Sequence, residues 1–147
     1  MRPLFLRLAW GGVAGTVAMT LMMLLVAPMM GVHMDIAASI AMMLHVPWIA
    51  GLSVHFALGI LIFPTIYGYM LRSRLPGSPI ARGIIWGGIL WLMLEAFGMP
   101  MMGKGFFGVN GPGMMGAVAA LLAHLVYGTL LGWVAEPRQN VSLEAII

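Results

Sequence analysis

Residues 10–31 read WGGVAGTVAMTLMMLLVAPMMG, and residues 86–103 read WGGILWLMLEAFGMPMMG. Both segments open on Trp-Gly-Gly, run apolar for most of their length and close on Pro-Met-Met-Gly. One apolar run further on, each is followed by His-x-x-x-Gly, at His55 to Gly59 and at His124 to Gly128. The Trp-to-Pro spacings are 18 and 14 residues, and the Pro-to-His spacings are 27 and 24. The first difference is about one helical turn. Three matches in the same order predict two tandem copies of one hairpin unit, with His55 and His124 in corresponding places.

The surroundings of these segments say which solvent they meet. Of 147 residues, 62% are hydrophobic and 7% charged. A soluble domain carries about 25% charged residues, so this composition reads as a membrane protein. The chain has no cysteine, which excludes disulfides, thiolate metal sites and Cys-linked haem. Seven basic residues are too few and too scattered for nucleic-acid binding. Arg2 and Arg7 precede an apolar stretch longer than a signal-peptide core, and we read that stretch as a first span.

About 20 apolar residues cross the hydrocarbon core. Four segments qualify: 8–30, 49–71, 81–101 and 114–135. Segment 34–45 is too short to span; Asp35 is placed to cap it, and it reads as a helix lying in the interface. The expected fold is therefore an all-α membrane protein of one domain, 1–147. It has four transmembrane helices arranged as two parallel hairpin repeats, 8–71 and 81–135, plus the short interfacial helix.

Arg2, Arg7, Arg72, Arg74, Arg82 and Arg138 fall at one end of these spans, and Lys104 alone falls at the other. The positive-inside rule then places both termini in the cytoplasm, with the 34–45 and 103–113 segments on the outer side. Two hairpins that start on the same side are related by an axis along the membrane normal. Carriers more often use inverted repeats, so the pattern speaks against a channel or carrier.

Ionisable residues inside spans are costly and commonly functional. Three occur, all toward the outer side: His55, Glu95 and His124. Small residues recur every four positions with the histidines, as Gly51, His55, Gly59 and as Gly116, Ala120, His124, Gly128, Gly132. Such stripes form helix-packing faces, so both imidazoles should point into the bundle. The three groups serve one of several ends. They are hydrogen-bonding glue between helices, with Glu95 accepting from the histidines. They hold a metal ion, which imidazole and carboxylate both suit. Or His55 and His124 are the axial ligands of one b-type haem.

Ten of the sixteen methionines lie at or near the outer ends of the spans. Thioethers select Cu(I), so Met30, Met101 and Met102 join His55, Glu95 and His124 as a candidate copper site; packing is the plainer use of methionine. The glycine-rich loop at 103–113 sets Phe106 and Phe107 either in the interface or over that rim. Pro64 should bend the second span by freeing the Ile60 carbonyl. Gly11/Gly15, Gly83/Gly87 and Gly128/Gly132 serve internal packing or self-association.

The strings VHFALG at 54–59, WLMLEAFGMPMMGKGFFG at 91–108 and AHLVYGTLLG at 123–132 carry a resemblance. They resemble an uncharacterised family of small four-helix bacterial inner-membrane proteins, a domain of unknown function loosely grouped with YagU-like proteins. That resemblance implies an inner-membrane location and a four-helix fold, and it brings no activity or site residue. No nucleophile–base pair, phosphate loop or HExxH string occurs, so no enzyme is expected. The expected function is an accessory or assembly protein of the bacterial inner membrane, lodged in the lipid bilayer, with a periplasm-facing His/Glu/Met site for copper or another metal. A haem-bearing electron-transfer subunit is the alternative, as is a purely structural subunit of a larger, respiratory-type membrane complex.

Overall fold

A computed structural model describes residues 3–136. Arg2 and Arg138 lie outside the described residues. Four helices are long and apolar enough to cross a bilayer: α1 (Leu4–Met30), α3 (Trp48–Leu71), α4 (Pro79–Met101) and α5 (Gly113–Ala135). Each lies within a few residues of the span read from hydropathy. The short helix α2 (Ile36–Leu44) sits between α1 and α3. Asp35 caps it as expected, its Oδ1 accepting from the Ala38 amide at 2.8 Å.

Proline decides where the long helices depart from α geometry. A π-helical turn at Met22–Val26 precedes Pro28, another at Leu58–Ile62 precedes Pro64, and a third at Leu94–Gly98 precedes Pro100. In each, the residue before proline donates its amide five residues back: Ala27 to Met22, Phe63 to Leu58 and Met99 to Leu94. The proline ring would otherwise clash with the carbonyl four residues earlier, and one widened turn relieves this. α5 has no internal proline and runs as unbroken α-helix. A fourth π-turn, Tyr67–Leu71, closes α3.

The two Pro-Met-Met-Gly strings end their helices in the same way. Gly31 and Gly103 take left-handed φ of 72° and 73°. Around them the amides of Gly31 and Val32 reach the carbonyls of Pro28 and Ala27, and those of Gly103 and Lys104 reach Pro100 and Met99. This is the Schellman arrangement, and glycine enters its left-handed position without strain.

α5 is the hub: it packs along both α4 and α1, while α1 packs along the inner stretch of α3. α3 and α4 meet where the rings of Phe63 and Trp86 stand edge to face at 6.5 Å. The glycine stripes are consumed inside the bundle. A Cβ on Gly83 would run into the Gly128 carbonyl, and one on Gly15 would lie 2.7 Å from the Tyr127 ring. These glycines are buried, so self-association through them is not available. At the arginine-bearing end, Leu8, Tyr67, Trp86, Leu90, Tyr127 and Leu131 make the main core. At the other end Ala27, Val32 and Ala119 make a smaller one, with Met23, Met30 and Met34 around it.

Candidate functional site

Between these two cores lies a cavity of ≈ 360 Å³. Its walls follow from the packing just described. α1 and α3 are held tightly together where Gly12 meets the Gly59–Ile60 backbone and the Pro64 ring. Beyond that contact, toward the methionine-rich end, Met19, Thr20, Met23 and Leu24 of α1 face Leu52, His55 and Phe56 of α3 across the cavity. Ala120, Ala123 and His124 of α5 form its back, and Met34, Asp35 and Trp48 lie at the end where α2 joins. The wall is apolar but for a few side chains. Leu24 and Trp48 are themselves exposed, which puts the mouth on the outer surface of the bundle.

Both histidines turn inward to this cavity, and their hydrogen bonds identify the ring nitrogen that stays free. Thr20 donates its hydroxyl to the Thr16 carbonyl at 2.7 Å. A hydroxyl has one proton, so the 3.2 Å contact between Thr20 Oγ1 and His55 Nε2 is a bond that His55 donates. His55 Nδ1 is then the lone-pair nitrogen of the neutral ring. His124 Nδ1 lies 2.8 Å from the Ala120 carbonyl, which can only accept. Its lone pair is therefore on Nε2. The two rings are held differently, one by a neighbouring helix and one by its own.

Glu95 does not join them. It is fully buried in the π-turn of α4, and neither carboxyl oxygen has a hydrogen-bond partner. Its neighbour Leu94 lines the cavity while Glu95 itself does not. The expected bond from Glu95 to the histidines is absent. Among the described residues, no three His, Asp or Glu side chains are grouped to hold a metal ion.

The methionines named as candidate ligands divide similarly. Met30 packs half-buried into the smaller core, Met101 is exposed, and Met102 is half-buried at the end of α4. None of the three lines the cavity; the thioethers that do are Met19, Met23 and Met34. Phe107 turns back onto Trp91, edge to face at 5.8 Å, while Phe106 is exposed. Lys104 reaches across to α2, donating to Ser39 Oγ at 2.6 Å.

A bis-histidine haem does not fit this arrangement. His124 has the posture of an axial ligand, Nδ1 bonded to a carbonyl and Nε2 free. His55 has the reverse, with Nε2 committed to Thr20.

Thr20, Asp35 and Trp48 were not legible as site residues. Thr20 stands beside His55 only because α1 and α3 pack side by side. The Thr16–Thr20 spacing of one helical turn was the available signal.

Comparison with known proteins adds a family and no chemistry. Residues 5–142 match the family described as "Family of unknown function (DUF6789)". No curated protein and no solved structure matches the chain.

Proposed function

The chain belongs to this family of unknown function, and on that premise we propose a non-enzymatic accessory protein of the bacterial inner membrane that holds a small lipid-soluble molecule in the cavity between α1, α3 and α5. The observation that carries this reading is the cavity itself. Its ≈ 360 Å³ lies within the range of small-molecule pockets, its wall is apolar, and two imidazoles are aimed into it. A few placed polar groups on an apolar wall orient a ligand without the cost of desolvating a charge. By the positive-inside rule the Arg72–Arg82 loop is cytoplasmic, and the cavity then opens in the periplasmic half.

A second reading keeps metal handling. His55, His124, Met19, Met23 and Met34 border one space, and imidazole and thioether are donors that Cu(I) accepts.

One preparation tests both. The protein is purified from its host in mild detergent and analysed by native mass spectrometry and for bound metal. Retention of a small organic mass, lost in a cavity-filling Leu52→Trp variant, is the expected result. Stoichiometric copper, lost in His124→Leu, would replace it with the metal reading. An empty chain with no response to either substitution would sink both.

A further inference from the structure

The polar side chains bordering the cavity are Thr20, Asp35, Trp48, His55 and His124. Each proton they carry is already spent within the protein. The Thr20 hydroxyl goes to the Thr16 carbonyl, and the Trp48 indole N–H goes to Asp35 Oδ2 at 2.9 Å. His55 donates to Thr20 and His124 to Ala120. Asp35 accepts at both oxygens, from Trp48 and from the Ala38 amide. What is left on the cavity-lining side chains is a set of acceptors: His55 Nδ1, His124 Nε2 and, at the exposed rim, the remaining lone pairs of the Asp35 carboxylate.

We propose that the cavity selects an uncharged lipophile bearing a hydroxyl, which it recognises as a hydrogen-bond donor. This rests on the reading of the cavity as a ligand site. A ketone, ester or ether oxygen finds no donor here and would leave its own lone pairs, as well as the imidazole nitrogens, unpaired in an apolar space. A site that binds a hydroxyl discriminates strongly against the analogue lacking it for the same reason. A cation would also be attracted to these acceptors, but the one carboxylate on the lining, Asp35, sits at the exposed rim and already serves Trp48 and Ala38, and deeper in the cavity a cation would shed its hydration against apolar side chains. Specificity is thus set one step back from the ligand: Thr20 fixes the protonation pattern of His55, and the Ala120 carbonyl fixes that of His124.

The test uses the full chain in nanodiscs of phosphatidylcholine, a lipid without hydroxyl groups. Equilibrium binding of a long-chain 4-alkylphenol and of its O-methyl ether is compared, with protein-free nanodiscs subtracted. The phenol should bind and the ether should bind at least about tenfold more weakly, the equivalent of one lost hydrogen bond. His124→Leu should weaken the phenol alone. Thr20→Val, which preserves shape, releases His55 Nε2–H to the cavity, and it should narrow the gap between phenol and ether. Phosphatidylglycerol, whose headgroup carries free hydroxyls, separates the two natural sources: displacement of the phenol points to a lipid headgroup, and its failure to compete points to a free lipophile. Equal binding of phenol and ether would overturn the donor rule while leaving the cavity a ligand site. Binding of neither would remove the ligand site itself.

Discussion

Glu95 is held at zero exposure with two unpartnered oxygens, a cost of about 1–3 kcal/mol for a polar group of this kind. Glu95→Leu should therefore raise the thermal midpoint in detergent. A midpoint that falls would indicate a partner that the isolated chain does not supply. His45 offers a second residue-scale measurement. It closes α2 in the left-handed region with φ of 56°, a conformation costing a non-glycine residue about 1 kcal/mol. His45→Gly should be neutral to stabilising by that order, read from the same melting curve. Since His45 is exposed and borders no part of the cavity, ligand binding should not change.

Among the elements, α3 shows how a proline is turned to use. The π-turn diverts the Phe63 amide from Gly59 to Leu58, and Pro64 has no amide to offer Ile60. The freed Gly59 carbonyl accepts from the Tyr127 hydroxyl of α5 at 2.8 Å. The sequence predicts a bend at Pro64 that frees the Ile60 carbonyl. The structure spreads the defect over one wider turn and uses the neighbouring carbonyl to tie α3 to α5. Tyr127→Phe leaves that carbonyl alone in a buried setting and should cost about 1–2 kcal/mol. Pro64→Ala lets the turn close to α geometry, and in that background Tyr127→Phe should cost measurably less. Equal costs in both backgrounds would break the link between the π-turn and the tyrosine bond. Neither the tie nor the site at Thr20 could be read from spacing, because both depend on where a second helix lies.

At the scale of the whole molecule, close glycine approaches hold the bundle, among them Gly83 on Gly128 between α4 and α5, and Gly12 on the backbone of α3. Gly128→Leu should separate α4 from α5 and cause aggregation or loss of the folded fraction on size-exclusion chromatography. A surface position such as Val109 should tolerate leucine. Orientation is open to a direct measurement, since the chain has no cysteine of its own. Asn110→Cys and Ser73→Cys place single thiols at exposed positions on opposite ends. A membrane-impermeant maleimide should label Asn110→Cys in intact cells and Ser73→Cys only after permeabilisation; the reverse pattern would invert the topology.

The four spans, the capping role of Asp35, the inward aim of the histidines and the helix stops at Gly31 and Gly103 were decided within the sequence. Each depends on contacts a few residues apart or on the one-dimensional match between an apolar run and bilayer thickness. The company kept by His55, Glu95 and His124 was not. Spacing along a helix says which face a residue occupies, but the rotation and splay of neighbouring helices say what that face meets. Here tight glycine contacts hold α1 against α3 at one end, and toward the other the cavity lies between them with Thr20 beside His55. The π-turn before Pro100 adds a residue to its turn of α4, and the fold leaves Glu95 outside the group its sequence position suggested.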